Sequence, residues 1–325
     1  MTTILFTDTH FGVRNNSLTW LESQKSFIYE QLIPYIKDIK DDVRLVHLGD
    51  VFDSRSTIST KVATDVVDMF TQLNSLVDEF IVIGGNHDYY SPNSDEVCSL
   101  DLLLTQTGVT LVTKEEIIRD DMLFIPWYRW GDPTIQDVID RNKIKHIFAH
   151  TDIVSGIIPY TGVNIYSGHM HIPIIRSSKG LFNLGSCYAI NFADSNDSRG
   201  FYVLTDKLKA IPNKYSIRFW RLYEGDIFND EKISKIHKQD YIELYINQDD
   251  MLKDEYINKI NELVDKYKNI WVIPKSSDVQ MDLEKFDGFD IKDITRSMID
   301  DDLLDKYNSV VSFVDGTCNI EMGTK

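Results

Sequence analysis

Five imidazoles and several carboxylates of this chain fall at the ends of apolar runs, where side chains from separate segments can converge on one point. The first such place is Asp8-Thr9-His10, directly after the run Thr3 to Thr7. A carboxylate and an imidazole two positions apart, just past a strand end, can both turn toward a metal ion. The second is Gly49-Asp50-Val51-Phe52-Asp53, after Val43 to Leu48. Here glycine permits a tight turn, and of the two carboxylates one could bridge metals while the other orients a partner imidazole. The third is Gly84-Gly85-Asn86-His87-Asp88, after Phe80 to Ile83. An amide oxygen is a neutral metal ligand, and the imidazole beside it can donate a proton or hold a phosphate oxygen. The run His146 to Ala149 then ends in His150, and Val163 to Ser167 ends in Gly168-His169-Met170-His171. Two imidazoles at i and i+2 after a glycine can ligate adjacent positions of a metal pair.

Each of these segments also has a plain reading. Asn86 and Asp88 could serve turn chemistry with His87 on the surface, and Arg55 could hold a phosphate or be an ordinary surface arginine. His47 lies inside its strand and reads as packing, His146 stands at the wrong end of its strand, and His237 reads as surface. What favours chemistry is the number: of eight histidines, His10, His87, His150, His169 and His171 stand at or just after strand ends. Imidazole, carboxylate and one amide, without thiolate, suit two borderline or hard divalent cations such as Mn2+, Fe2+ or Zn2+. Such a pair holds a phosphate, lowers the pKa of a water and stabilises in-line displacement at phosphorus. His87 would then stabilise the leaving or non-bridging oxygen, with Asp53 fixing its orientation.

The elements that must position these groups alternate strand and helix, which gives an α/β layer. Helices are predicted over Leu18 to Ile39, with Pro34 kinking or splitting it, over Ile58 to Val77, over Asn93 to Val112 with Ser94 or Asp95 near its cap, and from about Thr134 to Asn142. The last of these but one ends at Gly108, before a short strand, and holds Cys98 as a small buried residue. Leu123 to Trp127 reads as a strand broken by Pro126, with Trp127, Tyr128 and Trp130 lining the core in preference to stacking bases. Ile172 to Ile175, Leu181 to Leu184 and Phe201 to Leu204 read as a second sheet packed on the first. Beyond Thr205, strands at Ser216 to Tyr223, Tyr241 to Asn247 and Ile270 to Ile273 with a helix from Leu252 to Lys268 make a small βαβ module. Lys275 to Asp290 is a polar, acidic linker, and Ile291 to Tyr307 is a helix able to bind a partner or pack on its own domain.

With 325 residues, 42% hydrophobic and 26% charged, the chain has the composition of a globular protein with room for two domains. Three cysteines, Cys98, Cys187 and Cys318, form no CxxC pair, which speaks against a disulfide framework or thiolate site and for a reducing compartment. No run of 18 or more apolar residues and no leader pattern occurs, so a cytoplasmic location is expected. A net charge of -17 weighs against a nucleic-acid partner, and 24 acidic against 13 basic residues lie from Glu224 onward. Between Arg199 and Arg221 the sign reverses, with six basic residues against Asp206 alone; a solvated face is the expected reading, a DNA track the other.

The series D-x-H, GDxxD, GNHD, a strand-end H and GHxH, in this order over the first 171 residues, resembles the calcineurin-like metallophosphoesterase superfamily. Within it, GDVFDSR, the IPW at Ile125 to Trp127, the LGS at Leu184 to Ser186, DSNDSRGFYV at Asp194 to Val203 and the βαβ appendage are similar to the recombination nucleases: bacterial SbcD, the archaeal and eukaryotic meiotic-recombination nuclease, and the nuclease subunit of the T-even phage recombination complex. The resemblance implies an α/β/β/α sandwich of two mixed sheets over 1–205, a capping domain over 206–274 and a tail, 275–325, able to bind an ATPase. It implies two metals, most simply Mn2+, one on Asp8, His10, Asp50 and His171 and the other on Asp50, Asn86, His150 and His169, with His87 catalytic, Asp53 orienting it and Arg55 near phosphate. It further implies DNA as substrate, an SMC-like coiled-coil ATPase as partner, and a homodimer formed through the phosphoesterase domain. Two departures stand out: Thr151-Asp152 follow His150 where many relatives have glycine, and Asp53 follows the bacterial and phage pattern.

Overall fold

The apolar runs pair as two six-stranded mixed sheets. The computed structural model describes residues 1–91, 93–194, 198–267 and 269–275. In the first sheet the order is Leu208–Pro212, Gly200–Leu204, Thr2–Phe6, Val43–His47, Glu79–Ile83, Thr110–Val112, with the last four strands parallel and the first two antiparallel. In the second it is Ile174–Arg176, Leu181–Asn183, Asn164–Gly168, His146–His150, Met122–Ile125, Ile117–Arg119, again with four parallel strands in the middle and an antiparallel strand at each edge. Strands buried on both faces read as continuous apolar runs, which is why the central strands were visible in the sequence.

Three apolar layers hold the sandwich together. Between the sheets lie Leu5, Val46, Ile81, Phe124, Phe148 and Tyr166. Outside the first sheet, Ile4, Phe6, Leu45 and Phe80 meet the helices through Phe27, Val66 and Phe70, and outside the second, Ile147 and Ile165 meet Ile135 and Ile139 of helix Thr134–Asn142. Across the second sheet, the rings of Phe124, Phe148, Tyr166 and Phe182 stack in register at centroid spacings of 4.9, 5.0 and 4.8 Å. This ladder fixes the alignment that pairs Gly168 with His150 at the strand ends.

Several expectations need correction. Between Asn93 and Val112, the short strand expected after Gly108 is present at Thr110–Val112, but the helix expected before it begins as a hairpin: Ser94–Cys98 folds back on Tyr89–Ser91, pairing Tyr89 with Cys98. Only Ser99–Leu104 is α-helical, followed by a 3-10 turn at Thr105–Thr107 and Gly108 at φ 77°. The leucines supplied a helical stripe, but the polar Ser94–Glu96 had none to extend it, and strand pairing claimed those backbone groups instead. Gly200–Leu204, expected in the second sheet, joins the first by pairing Thr3 with Leu204. Its uniform apolarity suits the interior of either sheet, so the pattern carried no address. The helix over Leu18 to Ile39 is three segments: α at Leu18–Ser26, π at Phe27–Leu32 and α at Ile33–Asp38. Pro34 offers no N–H and would clash with a carbonyl four residues back; the wider turn, in which the Ile33 N–H reaches the Ile28 carbonyl, relieves this.

Past the first sheet, whose edge strand Leu208–Pro212 runs beyond Thr205, Phe219–Tyr223, Tyr241–Asn247 and Asn269–Lys275 form a parallel three-stranded sheet covered by helix Asp254–Lys266. Phe192 bridges it to the larger body, its ring 5.0 Å from Phe219 and 6.1 Å from Tyr241. The linker, the helix expected over Ile291 to Tyr307 and Cys318 lie outside the described residues. No helix among the described residues is long and apolar enough to cross a membrane.

Phe148 is fully buried in the middle of the aromatic ladder. Phe148→Ala is expected to lower unfolding free energy by about 3–5 kcal/mol, read by urea denaturation. A loss under about 1 kcal/mol would mean that the ladder does not set the packing of the sheet.

Candidate metal centre

Parallel strands present all their C-terminal ends on one edge of a sheet, and in this sandwich the edges of both sheets meet. Asp8 and His10 follow Thr2–Phe6, Asp50 follows Val43–His47, Asn86 and His87 follow Glu79–Ile83, His150 ends His146–His150, and His169 and His171 follow Asn164–Gly168. Asp8, His10 and His171 each offer a ligand atom, and all three lie within 4.8 Å of one another; the same holds for Asp50, His150 and His169. Asn86 Oδ1 sits 3.1 Å from His150 Nε2 and 2.9 Å from His169 Nδ1, joining the second group. His10 Nε2 is 3.8 Å from carboxylate oxygens of both Asp8 and Asp50, which links the two groups.

The backbone is bent hard to bring these side chains together. Asp8, His10, Asp50 and His169 have φ of 52°, 41°, 54° and 82°. Non-glycine residues avoid this left-handed region, and such strain persists only where the surroundings enforce it. Close approach also dictates two glycines: a Cβ on Gly85 would lie 2.3 Å from Asp50 Oδ1, and one on Gly168 would lie 2.6 Å from Asp8 Oδ2.

The donor set and its support fit a pair of divalent cations. His150 Nδ1 donates to the Leu48 carbonyl at 2.8 Å, which turns Nε2 toward Asp50 Oδ2, 3.2 Å away. His10 Nε2 and His171 Nε2 face each other at 3.1 Å. Two imidazole nitrogens at that separation need a proton or a cation between them. Asp50 Oδ1 accepts the His87 N–H at 2.8 Å, so the carboxylate nearest both groups is itself held in place.

His87 belongs to neither group. Its ring stands edge-on to His10 at a centroid distance of 5.0 Å. Nδ1 donates to the main-chain carbonyl of Asp53 at 2.6 Å, so Nε2 is the nitrogen free to meet a substrate. The Asp53 contact with His87 is thus made by the backbone carbonyl, while its carboxylate lies 3.5 Å from His10 Nδ1. Arg55 is half-buried and its guanidinium makes no ion pair among the described residues.

Three features were not legible beforehand. Buried Asp88 accepts the N–H groups of Gly85 at 3.0 Å, Phe52 at 3.1 Å and Val51 at 3.3 Å, fastening the Gly84–Asp88 turn to the Gly49–Asp53 turn. The turn role read for Asp88 in the sequence is seen in its bond to Gly85; its reach to the Gly49–Asp53 turn is what the sequence did not carry. Trp127 packs against the core as expected, and its half-buried ring also lies 5.0 Å from that of His169 and 6.0 Å from that of His150, a contact the sequence did not carry. Of the basic run, Arg199 pairs with Asp194, Arg218 with Asp240 and Arg221 with Glu243, so the three arginines are engaged within the chain. His47 is a packed imidazole, accepting the Gly49 N–H at 3.2 Å, and burial pushes it down to about 3.

Compared with known protein families, residues 1–173 match the calcineurin-like phosphoesterase model. No curated protein matches the chain. Among solved structures, the crystal structure of the Pseudomonas putida nuclease MPE is similar at 13% sequence identity, covering 63% of this chain and 85% of that one, with a TM-score of 0.33.

The electrostatics state what the site lacks without metal. Burial would push the carboxyls of Asp8 and Asp50 up and the imidazoles of His10 and His150 down. Mutual attraction wins in each case. His10 holds Asp8 to about 2, and His150 holds Asp50 far below the usual range. Asp53, Asp8 and Asp50 lift His10 to about 10, and Asp50 lifts His150 to about 9. With folded values above the ordinary 6.5, both imidazoles stabilise the metal-free fold below that value, and the contribution is lost as pH rises through about 9 to 10. Cations need these nitrogens unprotonated. Metal binding at pH 7 is thus expected to release about two protons per chain and to tighten as pH rises. Calorimetric titration in buffers of differing ionisation enthalpy reads the number, and no proton release would refute the assignment of His10 and His150 as ligands.

Proposed function

The chain belongs to the calcineurin-like phosphoesterase family, and from that premise we propose that it is a two-metal DNA nuclease, cutting duplex ends as an exonuclease and single strands as an endonuclease. The observation that carries the reading is the division of labour at the strand ends: two groups of ligands side by side, and one imidazole, His87, left over beside them. Asp8, His10, Asp50 and His171 would hold one cation and Asp50, Asn86, His150 and His169 the other, with Asp50 shared. When bound, the pair supplies Lewis acidity toward a phosphoryl oxygen and makes a water nucleophilic near neutral pH.

The protein's own groups do the rest. His87, its Nδ1–H fixed on the Asp53 carbonyl, presents Nε2 to the phosphate, where in its protonated form it donates to a non-bridging or leaving oxygen. Asp53 steadies His10 through its carboxylate, and Asp88 keeps the two ligand-bearing turns in mutual register. Arg55, without an ion pair among the described residues, is available to a neighbouring phosphate.

DNA as substrate and an SMC-like ATPase as partner are supported by the GDVFDSR, IPW and LGS segments and by the appended three-stranded sheet, and Mn2+ suits the mixed nitrogen and oxygen donors. A second reading, hydrolysis of a small or protein-borne phosphoester, is favoured by one observation: the arginines of the basic run are consumed in ion pairs on a chain of net charge -17.

With Mn2+ and the ATPase present, the protein is expected to cut linear duplex and single-stranded DNA; activity confined to a cyclic nucleotide or phosphopeptide would select the second reading. His87→Ala is expected to lower the cleavage rate by about two or more orders of magnitude with both metals retained in elemental analysis. Loss of metal would place His87 among the ligands instead. Removing residues 291–325 is expected to weaken co-purification of the ATPase while sparing hydrolysis of a small phosphodiester, and equal recovery of partner would remove that segment from the interface.

A further inference from the structure

The half-buried indole of Trp127 lies against two candidate ligands. Its ring lies 5.0 Å from that of His169, tilted 45°, and 6.0 Å from that of His150. The Trp127 N–H of the main chain is bonded to the Gly84 carbonyl at 3.1 Å, so the residue is anchored to the turn that carries Asn86 and His87. The side-chain Nε1–H is different. It has no hydrogen-bond partner among the described residues, and it is not among the buried polar atoms left unpaired, so it opens onto water.

Its place relative to His87 gives this donor a meaning. His87 stands against His10, in the group with Asp8 and His171, whereas Trp127 stands against His169 and His150, in the group with Asp50. Both are tied to the Gly84–Asp88 turn, and their rings meet different ligand imidazoles. An indole N–H can only donate, so whatever it meets must be an acceptor, and the acceptors repeated at fixed spacing along a nucleic-acid strand are phosphate oxygens. We propose that Trp127 Nε1–H binds the phosphate next to the scissile one in a DNA strand held at the metal centre. The proposal rests on the nuclease reading and adds to it a residue that selects a polynucleotide over a single phosphodiester.

Trp127→Phe removes the donor and keeps an aromatic ring against His169. Cleavage of a single-stranded oligonucleotide and of bis(p-nitrophenyl) phosphate would be compared by kcat/KM, with metal content measured in parallel. A hydrogen bond to a charged acceptor is worth about a tenfold change or more. The ratio of oligonucleotide to small-diester kcat/KM is therefore expected to fall by about tenfold, mainly through the oligonucleotide KM, with two metals retained. An unchanged ratio, or equal losses on both substrates, would overturn the proposal and leave Trp127 as packing for His169. Failure of the wild-type protein to cut any DNA would instead fell the nuclease reading, and this inference with it.

Discussion

Two carboxylates, Asp8 and Asp50, are at most 2% exposed and lie where five strand ends converge. A buried charge is tolerated only when matched, and here the match is made by imidazoles alone or by imidazoles with cations. Much else in the larger body follows from that constraint. The left-handed backbone at four of the ligands, the absence of a Cβ at positions 85 and 168 and the three N–H groups gathered by Asp88 are all costs or supports of holding those carboxylates in a dry place. Strain of this kind is tolerated because the aromatic ladder and the apolar layers on either side leave the strand ends no room to relax.

Much of the site was legible in the sequence, because its members sit where apolar runs stop and strand ends are among the easier features to find. Asp8, His10, Asp50, Asn86, His150, His169 and His171 were all drawn from that rule and are gathered by the fold into the two groups described. Second-layer relations were hidden. That the Asp53 carboxylate faces His10 while its carbonyl takes His87 depends on which way one peptide unit turns, a matter of a few dihedral angles that residue types do not encode. Trp127 does pack against the core as expected, but its second contact, with the His169 ring, was hidden for a related reason: only the neighbouring strand ends decide what the outer side of such a residue meets.

The fold was legible to a similar depth. Parallel central strands announced themselves as unbroken apolar segments; the hairpin of Tyr89–Ser91 with Ser94–Cys98 did not, since its exposed, polar residues carry no period. Charge told least. The basic run between Arg199 and Arg221 looked like one feature in the sequence, yet its arginines face three different carboxylates, Asp194, Asp240 and Glu243, each fixed by local packing. A run along a chain is a surface patch only if the backbone keeps its members on one side.

The pairing of Thr3 with Leu204 also bears on time. Thr2–Phe6 is an interior strand of its sheet, and one of its two neighbours, Gly200–Leu204, is translated about two hundred residues later. At about 5–20 residues per second, the strand that delivers Asp8 and His10 waits on the order of ten seconds or more for its second partner. Through that interval its free edge is open to wrong pairing. The metal centre is consequently among the last parts of the larger body to be locked in, and its cations, which bind only the finished arrangement, favour completion of that final step over the alternatives.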